Sequence, residues 1–344
     1  MLASILVKPG VLELQEIDLP HPGPDEVVIK IKSALTCGTD LKAFRRGHRL
    51  MPMPTVFGHE FAGEIVEKGD NVDLFYPGAA VMSVHTAPCG KCVYCRRRLE
   101  NLCPHMMDSK ILGAYAEYIR IPAAIVKTNM FPKPGNLSFR EAAMLEPLAC
   151  VVYGINQIRV KSTDTAVVIG AGAIGLLHVL VLKSLGIKRV IVSGHRDYRL
   201  KLAEQIGADL VVDSAATDAV EVIKEATDGL GAPLVFECTG QPSVWEESVE
   251  MVSRGGHVIL FGGCPGGSKV TYDAGRLHYD QITLKGVFHY TPAAVKQAYN
   301  LLVEKQLDVS PLITADRRLK DIAAVFQDLM AQDCIKYAIL PESS

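Results

Sequence analysis

The 344-residue sequence has almost no net charge: 36 Lys and Arg face 38 Asp and Glu, leaving −2. A chain so balanced raises no global field that would draw nucleic acid or an anionic membrane. Its first residues lack a basic stretch followed by a long apolar core and a small-residue cleavage site, so no signal peptide is expected. Internal repeats and low-complexity tracts are missing too, which leaves out repeat arrays and long disordered linkers. Long apolar runs are scarce. Thr165 to Leu182 holds 18 residues without Lys, Arg, Asp or Glu, near the length of a membrane span. Gly170, Gly172 and Gly175 interrupt it, and His178 lies inside it. Irregular backbone exposed to lipid is not tolerated, so the segment reads as a buried strand, a glycine turn and a buried helix.

What is present begins with cysteine. Four of the nine cysteines fall within fifteen residues, at Cys89, Cys92, Cys95 and Cys103. Two residues between successive cysteines let a tight loop turn its sulfurs inward, and the fourth thiolate closes a tetrahedron. Four thiolates with no open position describe a structural zinc site. Cysteines used as metal ligands suit a reducing cytoplasm, the expected location. Apolar content of 49% and charged content of 22% are those of a soluble globular protein, and the length suggests two domains.

The first 130 residues read as short strands broken by Pro and Gly, with Val27 to Ile31 and Glu64 to Val66 strand-like. From Ala166 the pattern changes. Apolar strands at Ala166–Ile169, Arg189–Val192, Leu210–Val212, Leu234–Phe236 and His257–Phe261 alternate with helices, one running to about Leu185 and another from Arg199 to Ile206. That alternation predicts an α/β fold with a doubly wound parallel sheet covered on both faces. The tail from about Thr291 reads as two helices with a linking stretch near Leu307 to Ile313.

Gly170-Ala171-Gly172-Ala173-Ile174-Gly175 follows a strand and opens a helix. The first glycine permits a tight turn, the second lets backbone approach a pyrophosphate, and the third lets helix and strand pack closely. The second strand should then end in a carboxylate that grips the ribose 2′-hydroxyl. Here Ser193-Gly194-His195-Arg196 stands in its place, followed by Asp197. Two polar islands lie upstream, Cys37-Gly38-Thr39-Asp40 and Gly58-His59-Glu60, and Glu146 sits among apolar residues ahead of the nucleotide segment. Thiolate, imidazole and carboxylate are zinc ligands, and a catalytic zinc keeps one position open.

In this order, the two islands, the four-cysteine lobe and the glycine turn, the chain resembles the zinc-dependent medium-chain alcohol dehydrogenases over essentially its whole length. The resemblance implies a β-rich GroES-like catalytic domain over residues 1–150, rejoined by 290–344, and a Rossmann domain over 151–289. It implies two zinc ions per chain, the catalytic one held by Cys37, His59 and Glu146 with Glu60 as an alternative or exchanging ligand. Thr39 would relay the substrate proton, and Asp40 would orient the histidine. Many members carry a histidine where this chain has Lys42; either Lys42 takes over, or the proton leaves through water held by Glu60. Cofactor contacts fall to Gly170, Gly172, Ala173, Ile174, Gly175, Ser193, His195, Arg196 and Thr239. With Ser193 in the carboxylate's place, Gly194 leaving room and His195 and Arg196 offering donors, the turn looks like the Gly-Ser-Arg turn of bacterial NADP-dependent secondary-alcohol dehydrogenases. NADP is therefore favoured over NAD.

Glu146-Pro147-Leu148 looks like the polyol (sorbitol-type) branch; the classical branch has cysteine there and the threonine branch aspartate. The expected reaction is reversible oxidation of a secondary alcohol, a polyol or sugar alcohol, by a homodimer or homotetramer. Its partners are a small-molecule alcohol or ketone, with no nucleic acid and no membrane. The alternatives are a threonine or amino-alcohol dehydrogenase, and a zinc-free reductase acting on quinones or enones. A zinc-ribbon nucleic-acid binder is a further one, prompted by Arg96-Arg97-Arg98.

Overall fold

The computed structural model describes residues 1–331 and 334–341. They divide into two compact units, Met1–Ala149 with Tyr290–Ser344, and Cys150–His289.

The first unit is built on a seven-stranded sheet. Its path runs Ile313–Arg318, Lys336–Leu340, Val27–Leu35, Glu60–Lys68, Ala80–Ser83, Met130–Pro132, with Tyr118–Ile121 paired to Val27–Leu35. Register decides where chemistry can occur. Leu35 pairs with Glu60 and with Ala338, so the end of one strand and the first residues of two others meet at one end of the sheet. Cys37 lies two residues past Leu35, His59 precedes Glu60, and Lys336 opens the last strand. In the core of this unit Phe44, Phe57, Tyr115 and Phe326 pack with ring centroids 5.3–5.9 Å apart. The four-cysteine lobe carries only short helical turns, at Val93–Arg96 and Glu100–Leu102.

The second unit is a parallel six-stranded sheet in the order Leu210–Asp213, Arg189–Gly194, Thr165–Ile169, Ala232–Glu237, Val252–Leu260, Thr283–Gly286. Its central strands are buried almost throughout, which explains their continuous apolar runs. The strand, turn and helix expected in Thr165–Leu182 form as Thr165–Ile169, the glycine turn and Ala173–Ser184.

Three readings of local structure need correction. Thr283–Gly286 is a sixth strand; its sequence TLKG is mostly exposed at the sheet edge and carries no apolar signature. The tail holds two helices, Pro292–Val303 and Ile322–Ala331, but also the strands Ile313–Arg318 and Lys336–Leu340. The first of these, ITADRR, begins where the expected linking stretch ends; it alternates half-buried with exposed residues, and its charges hid the strand. The helix expected from Arg199 begins earlier, at Asp197, and ends at Gln205.

His178 is wholly buried in the Ala173–Ser184 helix, between the rings of Phe236 and Phe261. Burial pushes its imidazole down from 6.5 to about 4, so it folds neutral. The unfolded chain takes up this proton first, so His178's contribution is complete above pH 6.5 and is lost as pH falls towards 4. The loss approaches roughly 3 kcal/mol at ~1.4 kcal/mol per pH unit. Urea melts of His178→Leu should therefore show a shallower acid limb than the parent between those pH values; parallel limbs would contradict the assignment.

Candidate metal centres and dinucleotide turn

The four lobe sulfurs converge, and none is in a disulfide. Cys92 and Cys95 Sγ are 3.4 Å apart, Cys92 and Cys103 3.8 Å, and Cys89 and Cys95 4.0 Å. A tetrahedron with Zn–S bonds of ~2.3 Å has edges of ~3.8 Å, so the four fit one closed zinc. As free thiols they divide. Backbone N–H groups of Lys91 and Cys92 outweigh burial and pull Cys89 down to about 6, while burial pushes Cys95 up to about 12. Cys92 is likewise drawn down, chiefly by the backbone N–H of Cys95, and burial likewise pushes the more buried Cys103 up. The lobe is stitched to the chain ahead of it: Ser109 Oγ donates to Ala87 O at 2.7 Å and accepts from Ala87 N at 2.9 Å.

The second cluster comprises Cys37, His59 and Glu60, whose ligand atoms all lie within 4.8 Å of one another. Cys37 caps the helix Gly38–Arg46, its sulfur accepting from Thr39 N at 3.4 Å. Gly58 turns the chain at φ +88°, ahead of His59. Asp40, fully buried on that helix, places Oδ1 2.8 Å from His59 Nδ1. Nε2 is then the ring nitrogen left for a metal. Sulfur, nitrogen and oxygen donors converging with the histidine already oriented fit an open zinc site.

Thr39 and Lys42 lie three residues apart on one helix face, both exposed, while Asp40 points inward. Glu146, expected as the third ligand, is outside this three-residue set. It is buried at the start of Leu145–Ile155, with Oε1 3.4 Å from His85 Nδ1; the His85 ring is centred 4.9 Å from that of His59. Burial, the largest influence, pushes its carboxyl up to about 7.

In the second unit the glycine turn has the geometry its sequence calls for. Gly170 sits at φ +107°, and Gly172 precedes the helix Ala173–Ser184, which Ile174 enters in its first turn. A Cβ on Gly175 would lie 1.8 Å from Gly170 O, so nothing larger than glycine fits there. Thr239 faces this turn from the neighbouring strand's end; a Cβ on Gly170 would meet its Cγ2 at 2.9 Å.

The second strand of this sheet ends later than its sequence suggested. Ser193 is buried inside the sheet, paired with Ile169 and Val212, and it is Gly194 that ends the strand. A Cβ at Gly194 would press on Ala171 of the glycine turn at 3.0–3.1 Å. His195 is exposed, and Arg196 stands at the N-cap of the next helix at φ +83°. Asp197 pairs with Lys201 at 2.6 Å, answering the mixed local charge noted in the sequence. Arg199, in the first turn of the helix Asp197–Gln205, donates to Tyr198 OH at 2.7 Å.

Known proteins match both units. The sequence profile of zinc-binding dehydrogenases covers residues 173–304, and that of the alcohol dehydrogenase GroES-like domain covers residues 23–132. A sorbitol dehydrogenase from Halalkalibacterium halodurans is 32% identical over 337 residues, 96% of either chain. An L-threonine 3-dehydrogenase from Pyrococcus horikoshii is 34% identical over 326 residues, 91% of this chain and 90% of its own. The solved NADP-bound structure of a candidate zinc-binding dehydrogenase from Sinorhizobium meliloti superposes with a TM-score of 0.91, at 29% identity and 99% coverage of each chain. The chain belongs to the zinc-dependent medium-chain alcohol dehydrogenase family.

It is therefore an oxidoreductase of the zinc-dependent alcohol dehydrogenase type, and nothing among these relatives supports a nucleic-acid binder. No helix among the described residues is long and apolar enough to cross a membrane. The dehydrogenase also contains a buried ion pair that sequence reasoning missed. Lys336, 2% exposed, donates to both carboxylate oxygens of Glu60, at 2.8 and 2.5 Å, and to Thr36 O at 2.8 Å. Burial pushes the ammonium down, but the Glu60 charge outweighs it and holds Lys336 above its ordinary value. The available signal was a lone lysine opening the apolar run Lys336-Tyr337-Ala338-Ile339-Leu340. His85 had no such signal; it precedes the four-cysteine lobe and meets Glu146 only in the fold.

Proposed function

We propose that the chain interconverts a secondary alcohol of the polyol or sugar-alcohol class and its ketone, with NADP(H) as preferred hydride carrier. The observation that carries this reading is the convergence of Cys37, His59 and Glu60 within 4.8 Å, with Glu146 and His85 beside them. When bound, zinc supplies Lewis-acid polarisation of the substrate oxygen and the nicotinamide accepts or gives the hydride. Cys37 and His59 would hold the metal, with Glu146 as the oxygen ligand and Glu60 as the exchanging one. Asp40 keeps the His59 ring in place. Thr39 takes the hydroxyl proton while giving up its own, and Lys42, on the same helix face, orients the water that receives it. Glu60 is committed to Lys336, which favours this route over one through Glu60. Glu146 supports a polyol over an amino alcohol, since the threonine branch would carry aspartate there.

The decisive test combines metal analysis with a substrate screen. Purified active protein should contain two zinc ions per chain, and mild chelation should abolish activity before it unfolds the protein, because the open site exchanges faster than the closed one. Polyols should turn over faster than L-threonine. Less than one metal per chain, or a preference for L-threonine, would reject the reading.

The preference for NADP rests on Gly194, which removes the carboxylate that would repel a 2′-phosphate, and on Arg196 and His195 around it. A guanidinium–phosphate contact at ~4 Å contributes ~1–4 kcal/mol between water and protein-surface dielectrics. Arg196→Ala should therefore lower kcat/KM for NADP by roughly 5- to 1000-fold while leaving that for NAD near its starting value. A preference for NAD that survives Arg196→Ala would show the turn to be misread. The exposed edge strand Thr283–Gly286 favours assembly into a homodimer or homotetramer.

A further inference from the structure

We propose that Tyr115 is a positioning residue for the catalytic metal: its hydroxyl fixes Asp40, and Asp40 fixes the ligand His59. This rests on the metal-site reading above and extends it to a residue three contacts from the ion. Tyr115 OH donates to Asp40 Oδ2 at 2.6 Å, and the other oxygen of the same carboxylate lies 2.8 Å from His59 Nδ1. Tyrosine, aspartate and histidine are all buried, with exposures of 0, 0 and 5%. Leu35 O stands 3.1 Å from the phenol, a more distant acceptor for its single proton. Burial, with Asp40 second, raises the phenol well above its ordinary value, so Tyr115 remains a donor.

The ring cannot swing away. It lies against the α-carbon of Gly58, where a Cβ would come within 2.8 Å of ring carbons, and it meets Phe57 and Phe326 edge-on. Its backbone is laced to the segment that delivers His59. Tyr115 N donates to Phe57 O at 2.9 Å, and Gly113 N and Ala114 N donate to Gly58 O at 2.9 and 3.1 Å. The residue that holds Asp40 thus travels with the residue Asp40 holds. A phenylalanine would satisfy the aromatic packing equally well; the hydroxyl is what packing leaves unexplained. Removing it takes from a buried carboxylate oxygen its phenolic donor and lets the Asp40–His59 pair relax. Partners at this remove typically contribute 10- to 100-fold to metal affinity.

The test is zinc release from the purified holoprotein into an excess of the colorimetric chelator 4-(2-pyridylazo)resorcinol, for the parent and for Tyr115→Phe. In the parent, release should be biphasic, the open site fast and the four-cysteine site slow. Tyr115→Phe should speed the fast phase by roughly 10- to 100-fold and leave the slow phase unchanged. The slow phase doubles as the check that the variant is folded. Phe57→Leu loosens the packing against the ring without touching the hydroxyl; it should lower the melting temperature and leave the fast phase near the parent's rate. An unchanged fast phase in Tyr115→Phe overturns the proposal, and so does equal acceleration in Phe57→Leu, which would assign the effect to packing. A parent that releases only one zinc equivalent would instead overturn the underlying metal-site reading.

Discussion

Gly175→Ala should abolish nucleotide binding at micromolar concentrations and lower the stability of the second unit. A methyl group there would lie 1.8 Å from Gly170 O, and the obstacle is backbone, which has no rotamer to yield. Either the helix Ala173–Ser184 moves off its strand or the turn is remade. Overpacking of this severity costs ~3 kcal/mol or more. Restoring the binding geometry at that cost corresponds to a loss of ~100-fold or more in affinity. Gly172→Ala is the informative contrast. Gly172 has φ −85° and nothing within 4 Å of an added Cβ, so the folded protein should melt within about 0.5 kcal/mol of the parent. Its nucleotide affinity should still fall, because the methyl group would stand where the pyrophosphate approaches. NADPH fluorescence titration with thermal melts separates the two; intact binding in Gly175→Ala would refute the turn's assignment.

Lys336→Met should destabilise the first unit by roughly 3–5 kcal/mol, the cost of leaving a buried carboxylate without its counter-charge. Both Glu60 oxygens face the Lys336 ammonium, and neither residue is more than 2% exposed. Adding Glu60→Gln to this variant should recover a large part of the loss, since the uncompensated charge is removed with it. Urea denaturation of the single and double variants measures both terms. A single-variant loss below ~1 kcal/mol would mean that the pair behaves as a surface salt bridge does.

Which parts of this molecule could be read from sequence follows from the range of the interactions that make them. The four-cysteine lobe and the glycine turn are local. Cys89 to Cys103 closes a site within fifteen residues, and Gly170 to Gly175 builds a turn in six, so spacing alone carries both. The central strands of the parallel sheet are buried on both faces and announce themselves as apolar runs. Thr283–Gly286 and Ile313–Arg318 are half-exposed, and their polar residues imitate loops. The position after the second strand was misplaced because Ser193 and Gly194 differ only in which one the sheet covers last; pairing with Ile169 and Val212 decides it. Tyr115 and Lys336 were out of reach for another reason. Their partners Asp40 and Glu60 lie 75 and 276 residues away along the chain, and no periodicity connects them.

That last separation acquires a meaning in time as well as in space. Synthesis proceeds at about 5–20 residues per second, so Lys336 leaves the ribosome about 14–55 s after Glu60. Throughout that interval the nascent first unit holds a carboxylate whose counter-charge does not yet exist, at the end of the sheet beside Cys37 and His59. The segment Cys150–His289, continuous in the chain, emerges entirely within the wait. The nucleotide-binding half therefore has all its residues available to fold before the metal-binding half can be closed by its final strand.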